Sequence, residues 1–375
     1  MMSDGAEHGP DALVVAPTVG VEEEFILVDP ATEHPVARNG EVAAAASRRG
    51  VDLELELTSC QVETATAPHH AVADLLDELT RLRSVVAAAA AEVGVGVIAA
   101  GAPPTVPVAF PITDTARYRR IGERFGMLAH EQGVCGCHVH VAVPDRETAI
   151  EVSNHLRHRL PVLLALSANS PVYRDADTGH ASWRWVLWSR WPAAGPPPHL
   201  RSREHFESLV TMFVASGAIL DDHMVYWDVR PSDHLPTIEV RVGDVQPTAS
   251  EAAAFAAIVR GLTLTALRDI DAGIAAPEID TAILDAAMWK AAHDGIDGAG
   301  IDVLTGESVP ALDLVGRLVD DISDALDAAG DADLVTAARR SLGSRGNGAT
   351  RRRRDFRDGT DGPGIAGAAM AEFTG

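Results

Sequence analysis

The segment VGVEEEF, residues 19–25, sets three consecutive glutamates inside an otherwise apolar run. With Val19, Val21, Phe25, Ile26 and Leu27 around them, the pattern predicts a largely buried strand. Alternate side chains of a strand share a face, which puts Glu22 and Glu24 together and turns Glu23, with Val21 and Phe25, to the other side. A buried carboxylate must be paired, protonated or bound to a cation. Whatever sheet this chain builds has to supply one of those three.

The pattern recurs. In VDLELELTSCQVETAT, residues 51–66, Val51, Leu53, Leu55 and Leu57 alternate with Asp52, Glu54 and Glu56, and Glu63 follows between Val62 and Thr64. In VCGCHVHVAV, residues 134–143, Cys135, Cys137, Val139 and Val141 share one face while Gly136, His138 and His140 share the other. Sulfurs and imidazoles that point opposite ways cannot close one tetrahedron, so the C-x-C-H-x-H cluster is not read as a zinc site. In LPTIEVRVGDVQPT, residues 235–248, Glu239 and Arg241 project from the face opposite Ile238, Val240 and Val242. Each segment alone is explained by a wet strand face or a surface ion pair. Together they ask for one polar sheet face carrying Glu22, Glu24, Glu56, Glu63, His138 and Glu239, an excess of negative charge that magnesium or manganese would balance.

Strands are predicted over 18–28, 51–57, 61–66, 95–100, 134–143, 225–230 and 236–244, and helices over 69–93, 114–131, 146–168, 202–220, 248–271, 278–293, 308–328 and 331–342. Two adjacent strands precede the first long helix, so strict βαβ alternation fails and the class is α+β. Residues 1–16 read as a flexible leader and 17–345 as a single catalytic domain. The Gly- and Arg-rich run GSRGNGATRRRRDFRDGTDGPG marks a charged tail, 346–375, whose composition predicts a solvated, mobile end, with partial order as the alternative.

A net charge of -23 disfavours nucleic acid and anionic membranes as partners. No uninterrupted apolar run predicts a transmembrane helix. One lysine, Lys290, stands against thirty arginines, and no GxxxxGK[ST] is present, which argues against Schiff-base chemistry and a P-loop. Three cysteines, Cys60, Cys135 and Cys137, are too few for a disulfide framework and fit a cytoplasmic protein.

In order and spacing, VGVEEEF, ELTSCQVET, GCHVHVAV, ANSP, DTGHASWRWVLWSRWP, YWDVRPS, LPTIEVRVGDVQPT and RGNGATRRR resemble the motifs of the carboxylate-amine ligase family, also called glutamate-cysteine ligase type 2, within the glutamine synthetase-like superfamily. The resemblance covers about residues 18–354. It implies a curved, mainly antiparallel sheet with helices on its convex face and magnesium ions on its concave face. By motif, Glu22, Glu24, Glu56, Glu63, His138 and Glu239 fall at metal-ligand positions, and Arg241 falls where an arginine touches the transferred phosphate, which marks Arg241, Glu63 and Glu239 as catalytic. The implied substrates are ATP, glutamate and an amine such as cysteine, joined through an acyl phosphate, with a homo-oligomer, by fold analogy a dimer, as the assembly.

Arg184, Arg190 and Arg230 are candidates for clamping substrate carboxylate or phosphate, because guanidinium pairs bidentately with either; stacking on the neighbouring tryptophans is the competing role. Arg345 and Arg351, in and beside RGNGAT, are candidates for contact with the nucleotide, over which the tail would then be partly ordered. Two other readings compete with the ligase: a nucleotide- and metal-binding member with little activity, and a metal-dependent hydrolase.

Overall fold

The alternating segments become strands, and their apolar positions fasten them to a layer of helices. The computed structural model describes residues 16–374, so all of the expected leader except residue 16 lies outside the described residues. Seven strands form one sheet: β1 (Val19–Val28), β2 (Glu54–Leu55), β3 (Gln61–Ala65), β4 (Gly96–Ile98), β5 (Gly136–Ala142), β6 (Val229–Pro231) and β7 (Thr237–Asp244). Their order is β6-β7-β5-β1-β3-β2, with β4 pairing the far end of β1. Every pairing in it is antiparallel. This is the α+β class expected from the sequence, with the sheet covered by helices on one face.

That face is apolar because period-two alternation delivers it so. Val19 and Val21 of β1, Val139 and Val141 of β5, and Ile238, Val240 and Val242 of β7 are buried with residues of the helices Val72–Glu92, Arg146–Leu156 and Ala249–Asp271. Thr248 caps the last of these by accepting the Glu251 N–H at 3.2 Å. Among the described residues this is the one helix long and apolar enough to cross a membrane, where the sequence reading expected none. Some 78% of its apolar stretch is buried within the protein, so its composition serves the core.

Glu23 lies on this helix-covered face and is saturated. Arg83 Nε donates to its carboxylate at 3.0 Å, and the same guanidinium donates to the backbone oxygens of Gln246 and Pro247 at 2.8 and 2.9 Å. Both side chains are 1% exposed.

Several expectations are corrected. The strand predicted over 51–57 shrinks to Glu54–Leu55, because it lies at the sheet edge and pairs only with β3. A single helix over 114–131 instead breaks at Gly126, whose φ of +55° suits glycine. The helix predicted over 146–168 is interrupted at 157–159, just before Pro161, which has no N–H to continue the ladder. Short helices at Asn39–Ser47 and Trp183–Trp188 were not anticipated.

The tail differs most. Residues Gly348–Arg357 and Gly362–Glu372 are helices rather than a mobile end. Composition showed loose charges, whereas the fold supplies Arg351, Arg352, Arg353 and Arg357 with distant acceptors. Arg352 is 5% exposed and donates to Asn169 Oδ1 and the Ala99 carbonyl, both at 2.8 Å. Asn347 Oδ1 caps the first helix through the Thr350 N–H at 3.1 Å, and Phe373 packs edge-on against Phe25 of β1 at 4.8 Å.

Candidate active site

On the uncovered face, strand register brings the acidic positions into adjacency. Glu24 is directly opposite Glu63 across β1 and β3, Glu22 is opposite His138 across β1 and β5, and His140 is opposite Glu239 across β5 and β7. Glu56 follows β2 at the edge. The result is a hollow of about 300 Å³ lined by all six carboxylate and imidazole positions read from the sequence, together with Arg230 and Arg241.

Within it, three overlapping groups each bring one ligand atom per residue to within 4.8 Å of the others: Glu24, Glu56 and Glu63; Glu22, Glu63 and His138; and Glu22, His140 and Glu239. His140 was placed on this face by its period-two relation to His138 but was left out of the expected ligand set; that same period was the signal that could have included it.

Charge is distributed unevenly along the hollow. At one end Glu239 is held by both cations: Arg230 Nε donates to it at 2.8 Å and Arg241 Nη1 donates to its other oxygen. Burial would raise its pKa, but Arg241 and then Arg230 outweigh that and keep the carboxyl well below its usual range. Glu22 is likewise held low: burial opposes ionisation, and hydrogen bonds to His138 and His140 overcome it. At the other end burial pushes Glu24 up, despite its bond from the Gly136 N–H at 2.6 Å. Burial also drives Glu63 well above its usual range, reinforced by the neighbouring Glu56 and Glu22. Here the carboxylates outnumber the cations that could neutralise them.

The donor set fits divalent cations. Carboxylate oxygens with few imidazoles suit magnesium or manganese. In addition, Nε2 of His138 is buried without a hydrogen-bond partner, as expected of a ring nitrogen kept for a ligand, and Nε2 of His140 lies between Glu22 at 3.3 Å and Glu239 at 3.9 Å.

The expected arginines divide. Arg230 and Arg241 line the hollow. Arg184 is not among the lining residues: it is buried beside Gly136, 2% exposed, donating to the Arg241 carbonyl at 3.3 Å. A side chain at Gly136 would put Cβ 2.4 Å from the Arg184 guanidinium and 2.8 Å from His138 Nε2, which explains the glycine there. Arg190 pairs with Glu131 at 2.8 Å and is not among the lining residues. Arg345 bonds Ser341 Oγ at 2.8 Å beside a separate cavity, and Arg351 is held between Glu251 and Glu372. Neither is among the residues lining the hollow: Arg351 is spent on those two acids, and Arg345 ends the helix Ala332–Arg345 exposed to solvent. Residues the sequence reading did not assign also line it: Arg117, bound bidentately to Asp221 at 3.0 and 3.1 Å, and an aromatic wall of Trp188, Trp191 and Tyr226. Arg117 gave no signal, since which face of its helix looks inward is decided by packing.

Comparison with known proteins accounts for this arrangement. The family model described as glutamate-cysteine ligase family 2 matches residues 18–370. The chain belongs to that family. A protein of Mycobacterium sp. (strain KMS) named "Putative glutamate--cysteine ligase 2-2" is 58% identical over 342 residues, covering 91% of this chain and 94% of that one. Among solved structures, glutamate-cysteine ligase from Francisella tularensis in complex with AMP superposes with a TM-score of 0.71 at 12% identity, over 96% of this chain and 88% of that one. A bifunctional glutathione synthetase from Pasteurella multocida gives 0.70 at 14% identity, over 96% of this chain and 53% of that one. At such identities the likeness speaks for the fold, which is the glutamine synthetase-like one. Membership of the family makes the chain an enzyme of the ligase class.

Proposed function

We propose that the hollow is the active site of an ATP-dependent carboxylate-amine ligase that joins glutamate to an amine, with cysteine the leading acceptor. The observation that carries this is the contiguity of three carboxylate and imidazole groups with Arg230 and Arg241 in one cavity. A phosphoryl donor needs cations on its oxygens and an arginine near the group in flight, and asks little covalent help of the protein.

Glu22, Glu24, Glu56, Glu63, His138, His140 and Glu239 would hold magnesium, or manganese, which when bound supplies positive charge to phosphate oxygens. Arg241 keeps its orientation through Glu239 and has Nε free of any partner, so it is assigned to the transferred phosphate. Arg230, on the other oxygen of Glu239, fixes that carboxylate and adds charge at the same end. Glu63, whose carboxyl is pushed well above its usual range first by burial and then by Glu56 and Glu22, is the donor common to two of the three groups.

The reading implies that the γ-carboxylate of glutamate takes the terminal phosphoryl group of ATP and the resulting acyl phosphate is opened by the amine. A screen of ADP release over pairs of acids and amines with magnesium tests it. ADP release should require both partners; ATP consumption indifferent to both rejects the ligase.

A further inference from the structure

We infer that a cavity on the helix-covered side of the sheet is a second binding site, for an aliphatic carboxylate of medium chain length. It lies between the helices Ala249–Asp271, Ala311–Asp321 and Ala332–Arg345 and shares no lining residue with the hollow, so it stands whether or not the ligase reading does.

The body of the ligand follows from the walls. The cavity holds about 230 Å³, and an apolar cavity of about 150 Å³ already takes benzene. Ile258, Val315, Val319, Leu334 and Leu342 make its lining aliphatic, with Phe255 as the one ring. Alanines at 254 and 338, on two different helices, leave the space open. Interiors pack to near crystal density and voids in them cost stability, so a gap of this kind calls for an occupant. Along its third helix the lining runs from Leu334 to Arg345, about 16 Å at 1.5 Å per residue, which makes the space a slot. A flexible chain fills a slot better than a compact ring does. A sugar or nucleotide would leave its polar groups unpaired against these walls.

The head follows from the charges at the mouth. Arg345 ends its helix exposed, with Nε and Nη2 donating to Ser341 Oγ at 3.0 and 2.8 Å, and among the described residues it makes no ion pair. Glu251 is the one acid in the lining, and it is already taken: Arg351 donates to its two oxygens at 2.9 and 3.1 Å and the Thr248 hydroxyl at 3.0 Å. Arg339 also lines the slot, paired at 2.8 Å with Asp320, which does not. The mouth therefore carries an uncommitted guanidinium in a chain whose net charge is -23. A carboxylate takes such a fork bidentately, and the Ser341 hydroxyl can turn its own proton to the same group.

Calorimetry with decanoate on the full chain tests the site in the wild type, Arg345→Ala, Ala338→Leu and Arg230→Ala. The wild type should bind a single decanoate per chain. Arg345→Ala should weaken binding by about three- to tenfold, the loss of a charge-assisted bond partly screened by water. Ala338→Leu fills the slot from a helical position that leucine suits and should weaken binding by at least about tenfold, its urea midpoint showing that it folds. Arg345 is exposed, so its substitution decides the matter even if leucine is not tolerated. Arg230→Ala should bind as the wild type does. No saturable binding below about 1 mM, or equal affinity in the wild type and both slot variants, overturns the site. A loss confined to Arg230→Ala places the carboxylate in the hollow and overturns it equally. Tighter binding of 3-phenylpropionate than of decanoate overturns the chain-shaped ligand.

Discussion

The glutamates of β1 divide a single tripeptide between two regimes. Glu23, on the helix-covered face, meets one guanidinium at bonding distance, and that guanidinium is itself committed to the Gln246 and Pro247 carbonyls and to the rings of Phe25 and Phe373. Glu22 and Glu24, one residue to either side, face other carboxylates and two histidines, of which His138 keeps Nε2 without a partner. One face settles its buried charge inside the protein, while the other defers it to something that arrives from solution. Buried acids of the same type in adjacent positions therefore answer to opposite demands, stability for Glu23 and ligand charge for its neighbours.

The sharpest way to break that contrast is to substitute one acid from each face. Glu63→Gln should lower kcat/KM by at least about 100-fold, since it removes a donor shared by two of the three groups, and losses of about 10- to 100-fold already follow from disturbing mere supports of metal ligands. Its unfolding midpoint in urea without divalent cations should hold or rise, because a neutral amide relieves the carboxylate crowd. Glu23→Ala should do the reverse. Leaving Arg83 buried and unpaired costs about 3–5 kcal/mol of stability, while the folded fraction keeps its turnover number. If both substitutions damage stability alone, the two faces are not different in kind.

A second test is the response of stability to pH with and without magnesium. Burial raises Glu24 and Glu63, so the folded protein keeps protons that the unfolded chain, with glutamate pKa near 4.3, has released. Stability from these groups is fully present below the unfolded value and is lost as pH rises through the folded values. Glu22 and Glu239 are lowered, so their contribution is present above the unfolded value and fades only in acid. As pH rises above the unfolded value, then, the protein in a chelator should lose stability from Glu24 and Glu63. Magnesium, which binds the folded ionised cluster, should flatten or invert that slope. A flat profile that magnesium leaves unmoved would remove the reason to treat this face as a cation site.

How much of this was legible in the chain follows the range of the interactions. Period-two alternation is local, so the strands, their two faces and the convergent acids Glu22, Glu24, Glu63 and Glu239, with His138, could be read from the sequence. The family's motif order supplied the curvature and the chemistry. What escaped depends on partners far along the chain. The arginine-rich tail looked like a solvated end because nothing nearby shows that Asn169 and Ala99 wait for Arg352, or Glu251 for Arg351. Arg117 was invisible for a related reason, since a helix does not declare which flank will face a cavity. Arg345 and Arg351 were assigned to nucleotide from charge and glycine content; the fold commits Arg351 to Glu251 and Glu372 and leaves Arg345 exposed beside Ser341.

The smallest expected effect concerns an arginine outside both regimes. Arg190 pairs with Glu131 at 2.8 Å, with the two side chains 37% and 25% exposed, so water already screens the pair and it falls in the class worth less than about 1 kcal/mol. Arg190→Ala should therefore leave kcat, and KM for ATP, glutamate and the amine, within about twofold, with a similarly slight change in the urea midpoint. Arg230→Ala offers the contrast: it strips one cation from Glu239 at the floor of the hollow and should raise KM for ATP. An equal loss from both would mean that the Glu131 side of the tryptophan loop swings inward when substrate binds, and that the boundary of the active site lies beyond the residues lining the hollow.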